Sequence, residues 1–294
     1  MLIGLSCAFL AGVLTIFFGA VFKHVGTKYD FKTTMLIYAI FTSFICVGLS
    51  FCEHDSWATY AWLPALLSLC AGAVNISGLT ILQKAMKLGN AGVAWAFCQA
   101  GLLGPFFFSI ICYQERPSIL QYAGAFLIVI GMVILSGNDS EKSAEKQKNN
   151  LLYLVCALGS FCFACVNGSL GVATSKIAPE FSITVRSLCM YLGTVIMLII
   201  LKLAAKSYKM EVNKGVMKSV FVLAFLGIGS TVLLFLSLNY LSEVNLAGIT
   251  IPIMQGTAIG GFALYGTLVL KEKCSLVKWL GIIAIILGIV FMSI

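Results

Sequence analysis

Ten apolar runs, separated by short polar connections, follow one another along the chain. Each run has about 18 residues or more, enough to cross a lipid bilayer as a helix. The run over 127–135 is continuously apolar and does not alternate with polar residues, which argues against the strands of a barrel. Backbone groups in lipid must be satisfied within the segment, so the runs are predicted to be helices. The predicted helices span 2–22, 33–51, 61–86, 91–113, 118–136, 151–175, 183–203, 216–241, 246–270 and 276–293.

The only long hydrophilic segment, 137–150, divides these helices into two groups of five. It predicts a solvated linker between a first unit, 1–136, and a second unit, 151–294. Because five is an odd number, the second unit must enter the membrane from the opposite side. The pattern therefore predicts an all-α polytopic membrane protein, with ten transmembrane helices in two inverted five-helix repeats. This plan recurs in secondary transporters.

Sequence identities between the two units support a duplication. They share an offset of 156 residues, which becomes 157 after a one-residue slip. The identical pairs include Gln99 with Gln255, Glu115 with Glu272, Ser118 with Ser275, Gly124 with Gly281 and Gly131 with Gly288. A repeated Glu-x-x-Ser turn, followed by glycines at the same two spacings, indicates a repeated structural unit.

Composition and charge agree with a membrane protein. Hydrophobic residues make up 60% of the chain and charged residues only 10%, whereas a soluble domain carries about 25% charged residues. Sixteen of the 19 lysines and arginines lie in or beside the connections that follow odd-numbered helices. The other three are Arg116, Lys176 and Arg186. The positive-inside rule then places the linker in the cytoplasm and both termini outside. The net charge of +8 therefore needs no nucleic-acid partner.

With its two five-helix repeats, the chain resembles the EamA-type transporters of the drug/metabolite transporter superfamily. The motifs that carry the resemblance are a glutamate at the entry to the last helix of each repeat, Glu115 and Glu272, and the glycine pairs that follow them. The resemblance implies a central cavity, with the last helix of each repeat at the periphery. It also implies transport of small organic metabolites, such as amino acids or related solutes, often as export across the cell (inner) membrane.

The predicted helix interiors carry no aspartate, glutamate or histidine, the usual proton relays of membrane carriers. The sequence has no cluster with metal-ligand spacing, no phosphate-binding loop and no nucleophile with a partner base. We therefore expect no enzyme activity and no cofactor, and uniport or exchange rather than strict proton coupling. The alternative is a non-transporting membrane scaffold or a lipid-binding protein.

Uncharged polar residues inside the helices are the candidate solute ligands. Gln99 and Gln255 lie near the middle of equivalent helices, where an amide binds either the solute or a neighbouring helix. Trp95 lies one turn before Gln99 and is either a cavity wall or core packing. Further candidates, each of which could instead serve packing or the membrane interface, are Asn75, Asn167, Asn239, Tyr240 and Tyr265.

Arg186, near the start of the seventh predicted helix, allows two interpretations. Its guanidinium either extends to the lipid headgroups or lines the cavity mouth and binds a carboxylate, with Glu180 as its partner when no solute is bound. Glu115 and Glu272 are interpreted as structural caps of the helices that they precede. Pro252 is predicted to kink the ninth helix.

Overall fold

A computed structural model describes residues 1–52, 61–88, 94, 98, 101, 103–137, 150–206, 212–268 and 276–294. Every regular element in these residues is helical. The α-helices are α1 (Leu2–Lys28), α2 (Phe31–Cys52), α3 (Trp62–Leu88), α4 (Leu103–Tyr113), α5 (Ile119–Gly137), α6 (Asn150–Ile177), α7 (Ile183–Ala204), α8 (Lys214–Ser242), α9 (Thr250–Leu268) and α10 (Leu276–Ser293). A 3-10 helix, Ala247–Ile249, precedes α9.

The helices agree closely with the apolar runs of the sequence. Helix α10 has the predicted bounds, and α1 extends beyond its apolar run to Lys28. The first part of the predicted fourth helix lies outside the described residues, apart from Ala94 and Cys98, which are both helical. The predicted ninth helix is divided, because its first turn is the 3-10 helix.

In the described ranges, six helices are long and apolar enough to cross a membrane: α1, α2, α3, α6, α7 and α8. Their outward faces carry large apolar side chains, and Phe44 and Phe225 are 71% and 74% exposed. Contiguous apolar surface of this kind is disfavoured in water but matches hydrocarbon. The chain is therefore an integral membrane protein of the all-α, polytopic class.

Local sequence signals set where the helices begin. The Ser118 hydroxyl accepts from the Gln121 backbone N–H at 3.2 Å, and the Gln121 side chain accepts from the Ser118 N–H at 2.9 Å. This reciprocal capping box begins α5. Pro252 is the third residue of α9, where a backbone N–H would have no partner within the helix. Pro252 therefore interrupts no hydrogen bond within α9, which begins just before it and directly after the 3-10 helix.

Helices of the two units pack against each other in reciprocal pairs. Helix α1 packs on α8 and α9, while its counterpart α6 packs on α3 and α4. Helix α2 packs on α8, and its counterpart α7 packs on α3. Helices α2 and α7, which are equivalent in the predicted repeat, contact each other, and so do α5 and α10. Most of the protein interior is thus formed between the units.

The repeated glycines are the contact points of α5 and α10. A Cβ atom added at Gly124 would lie 2.6 Å from the carbonyl oxygen of Gly288, and one added at Gly288 would lie 2.7 Å from that of Gly124. One added at Gly131 would lie 2.6 Å from the carbonyl oxygen of Gly281. Advancing along α5 therefore means moving back along α10, so the two helices are antiparallel. The glycines let the two backbones touch.

Candidate solute-binding cavity

A cavity of about 60 Å³ lies between the two units. Five helices line it: α3 of the first unit and α6, α7, α8 and α9 of the second. The lining residues are Ser68, Ala71, Asn167, Gly168, Gly171, Thr174, Arg186, Met190, Leu234, Phe235, Leu238 and Ile251. The polar residues of the lining come from α3, α6 and α7, whereas the lining residues from α8 and α9 are apolar.

Arg186 is the charged residue of this lining and is only 1% exposed. It lies in the first turn of α7, which begins at the N-cap Ser182. Its Nη1 atom donates to the Ser175 hydroxyl at 2.7 Å, and its Nη2 atom donates to the Gly171 carbonyl at 2.5 Å. Both acceptors lie near the end of α6, so the guanidinium joins α6 to α7. A side chain this buried does not extend to the headgroups, so that interpretation is wrong.

Helix α8 supplies two further contacts to the Arg186 guanidinium. Its carbon Cζ lies 3.9 Å from the centre of the Phe235 ring, a cation–π contact. The side-chain Oδ1 of Asn239 accepts from Arg186 Nη1 at 3.5 Å, while the side-chain Nδ2 of Asn239 donates to the Pro179 backbone carbonyl at 3.1 Å. These contacts orient the guanidinium and contribute no negative charge.

No carboxylate of the described residues neutralises Arg186. The ion pairs found there join Lys176 to Glu115 and Lys202 to Asp30. Glu180 is exposed and forms no ion pair with Arg186, so the predicted pairing of these two residues is wrong. A buried charge without a counter-ion is costly, and in membrane proteins it commonly marks a solute or ion pathway.

Glu115 closes the end of the molecule at which Arg186 lies. Its two carboxylate oxygens accept from the backbone N–H groups of Ala247 and Gly248, each at 3.0 Å. Its Oε1 also lies 2.9 Å from the Lys176 ammonium, which donates in turn to Asn245 Oδ1 at 3.1 Å. Glu115 therefore caps the 3-10 helix before α9, and not the start of α5 as the sequence predicted. We call Glu115, Lys176 and the capped 3-10 helix the carboxylate latch.

Other contacts close the opposite end. Lys202, in the last turn of α7, donates to the Thr33 hydroxyl of α2 at 2.6 Å and lies 3.9 Å from the Asp30 carboxylate. Lys32 donates to the Leu201 carbonyl at 3.5 Å. The first turn of α2 is thereby held to the end of α7, so hydrogen-bonded contacts between helices are present at both ends of the bundle.

The predicted ligands divide into three groups. Asn167 lines the cavity and donates to Asn75 Oδ1 at 3.5 Å, and Asn239 contacts Arg186. Gln255 is half-buried and lies outside the lining, yet its Oε1 is buried without a hydrogen-bond partner among the described residues. Tyr240 is 38% exposed and does not line the cavity. Predictions that fall outside the described residues concern Gln99, Trp95 and the side chain of Tyr265.

Sequence reasoning missed several residues of the site. Ser175 and Phe235 contact the guanidinium, but a serine near a helix end and a phenylalanine in an apolar helix carry no distinguishing signal. The pairing of Glu115 with Lys176 was also missed, because the two residues lie far apart in sequence. The repeat did contain one signal, because Ala247 and Gly248 were among the residues with equivalents in the first unit.

No protein-family model matches the sequence. The structure is similar to one crystal structure of another protein. The alignment covers 97% of this chain and 96% of the matched chain. The TM-score is 0.72 and the sequence identity 17%. At this identity the likeness establishes the fold alone, and it extends over nearly the whole chain.

Proposed function

We propose that this protein is a secondary transporter that moves a small organic solute through the Arg186 cavity by alternating access. The observation that carries the proposal is a cavity between the two units that contains a buried guanidinium, which has no carboxylate partner among the residues that the structure describes. A protein that only scaffolds or binds lipid has no need of such an interior charge, whereas a carrier can use it to bind its solute.

The proposed architecture is ten transmembrane helices in two inverted repeats, as in the EamA-type transporters that the sequence resembles. The reciprocal helix pairs and the antiparallel contact of α5 with α10 support it, because both are expected when equivalent helices are related by a twofold axis in the membrane plane. Neither α5 nor α10 lines the cavity, in keeping with a peripheral position.

The proposed orientation places both termini outside the cell membrane and the linker in the cytoplasm. The burial of two cations on the external side supports it: Lys176 pairs with Glu115, and Arg186 lines the cavity. Arg116 is the exposed cation on that side. With two of its three cations buried, the external side exposes even less positive charge than the sequence count indicates, whereas the opposite side is rich in lysine.

Alternating access requires that one end of the cavity opens while the other stays closed. The carboxylate latch is the closure that we assign to the end near Arg186, and the contact of Lys202 with Thr33 is assigned to the other end. Arg186 is the only ionisable residue among the described residues that line the cavity. This lining favours uniport or exchange over strict proton coupling, since neither a carboxylate nor an imidazole is present there to carry the proton.

A flux experiment tests the proposal. The purified protein is reconstituted into liposomes, and uptake of labelled amino acids, carboxylic acids, nucleosides and sugars is compared with uptake by empty liposomes. We expect one solute class to enter by a protein-dependent route. Gly171→Val should abolish most of that flux, because the new side chain projects from a lining position and an added Cβ there meets only Leu238 Cδ1, at 3.7 Å.

Gly159→Val is the matched control. It lies on the same helix, an added Cβ there meets only Ile81 Cγ2 at 3.5 Å, and it is absent from the cavity lining. It should keep the flux, with both variants folded by size-exclusion chromatography. If no solute enters above the empty-liposome rate, or if both variants transport equally, the proposed transport route is wrong and the scaffold or lipid-binding alternative is favoured.

A further inference from the structure

We infer that the transported solute is a small monocarboxylate with an uncharged tail, and that Arg186 binds its carboxylate group. This inference rests on the proposed transport function and narrows its substrate class. An amino acid or a phosphate ester would need a partner charge that the described lining lacks.

The free donors of Arg186 fit a carboxylate. A guanidinium has five N–H groups. Nη1 donates to Ser175 and Asn239, and Nη2 donates once, to Gly171. The Nε–H and the second Nη2 N–H have no acceptor among the described residues. Nε and Nη2 form one side of the guanidinium fork, from which arginine makes two parallel bonds to a carboxylate.

The electrostatic surroundings also favour an anion. Arg186 lies in the first turn of α7, where the helix dipole is positive and disfavours a cation. The acceptors that it does meet, a hydroxyl, a carbonyl and a side-chain amide, are all uncharged. The nearby cation Lys176 is already neutralised by Glu115. Counting the described residues, one full positive charge is therefore left for a solute with one negative charge.

The other lining residues indicate which chemical groups the tail of the solute can carry. The lining residues contributed by α8 and α9 are apolar and include Leu234, Leu238 and Ile251. No carboxylate among the described lining residues could pair with the ammonium group of an amino acid, and burying that ammonium without a partner would be costly. A phosphate ester carries up to two negative charges, and the described lining offers one cation.

The size of the cavity limits the length of the tail. A volume of about 60 Å³ holds roughly four to six water-sized groups, at about 10–15 Å³ each. Propanoate, with a carboxylate and a two-carbon tail, is of this size. The cavity therefore suits a short-chain acid.

The test measures ligand binding directly and does not depend on flux. Isothermal titration and thermal unfolding in detergent compare sodium propanoate with three probes at equal ionic strength: propanamide, alanine and inorganic phosphate. Propanamide has nearly the same shape without the charge, and alanine adds an ammonium group. We expect propanoate to raise Tm and to bind at least roughly tenfold more tightly than each of the other probes, because it alone supplies one charge and two acceptors.

Variants assign the binding to Arg186. Arg186→Met should abolish the propanoate-dependent Tm shift, and Arg186→Lys should weaken propanoate binding by roughly tenfold, because a lysine keeps the charge but loses the planar fork. Lys218→Met is the matched control, since it removes an exposed cation near the start of α8 and should leave binding unchanged. If Arg186→Met does not fold, propanoate binding by Arg186→Lys tests whether Arg186 is the binding residue.

Two results would overturn the inference: equal binding of propanamide or alanine by the wild-type protein, or undiminished propanoate binding by the Arg186 variants. Flux of another solute class that is blocked by Gly171→Val, without propanoate binding, would refute the monocarboxylate inference alone. Propanoate binding with no flux of any solute would leave the binding site in place and refute the transport function.

Discussion

Glu115→Ala is expected to destabilise the protein by about 3–5 kcal/mol, the usual cost of removing one partner from a buried ion pair. The side chains of Lys176 and Glu115 are 9% and 1% exposed, so water screens the pair little. Without the carboxylate, the Lys176 ammonium loses its counter-ion, and the backbone N–H groups of Ala247 and Gly248 lose their acceptors. Equilibrium unfolding in mixed micelles, followed by tryptophan fluorescence, measures the loss.

Two comparisons make this prediction specific to the carboxylate latch. Arg116→Ala changes the exposed neighbour of Glu115 and should alter the free energy of unfolding by less than about 0.5 kcal/mol. The double variant Glu115→Ala/Lys176→Met should recover part of the loss, because the unpaired ammonium is then removed as well. If Glu115→Ala costs no more than Arg116→Ala, the latch does not stabilise this state.

In the proposed transport cycle, the same contacts would couple the latch to solute movement. Glu115 ties the α4–α5 connection to the 3-10 helix before α9, and Lys176 also donates to the Ser242 carbonyl at the end of α8. Opening the cavity towards this end requires these bonds to break together. In the proposed cycle, loss of the latch is therefore expected to favour a state that is open at the Arg186 end.

Gly72→Ala is expected to destabilise the protein by about 2 kcal/mol or more, because it places a methyl group against another backbone. A Cβ at Gly72, in α3, would overlap the carbonyl oxygen of Met190, in α7. The reciprocal contact exists, since a Cβ at Gly193 would overlap the carbonyl oxygen of Leu69. Backbone atoms cannot rotate away, so α3 and α7 must separate. Thermal unfolding in detergent should show a lower Tm for Gly72→Ala and for Gly193→Ala.

Gly48→Ala is the control, and it is not expected to destabilise the protein. Gly48 lies in α2, and an added Cβ there meets nothing within 4 Å. Helix propensity alone then stabilises alanine over glycine by up to about 1 kcal/mol, so Tm should stay the same or rise. Equal effects of the alanine substitutions at Gly72 and Gly48 would contradict the close approach of α3 and α7.

The repeated glycines show how far a sequence pattern can be taken. Their spacing in each unit was visible in the sequence, and it predicted a repeated structural unit. The sequence did not show that Gly124 meets Gly288 and that Gly131 meets Gly281 across an antiparallel pair. A repeat reveals equivalent positions, whereas contact between the copies depends on how the two units are placed.

Some residues of the site could be predicted from the sequence, and others could not. Polar side chains in apolar helices are conspicuous in sequence, and among them Asn167 lines the cavity and Asn239 contacts Arg186. The sequence left Arg186 undecided between the lipid headgroups and the cavity, because a position one turn into a helix is compatible with either. Its 1% exposure decided the matter. Glu180, near in sequence, is not its partner, and Ser175 and Phe235 are.

The sequence by itself determined the all-α membrane class and the bounds of most described helices. Both follow from the free energy of placing each apolar run in lipid, which depends on local composition. The tertiary structure alone decided that Glu115 caps a distant 3-10 helix and that Lys176 neutralises it. It also decided that Arg186 has no carboxylate partner within the described part of the chain. These features depend on distances between residues far apart in the chain. Those distances are set by the packing of whole helices, where single buried contacts decide which charges are paired.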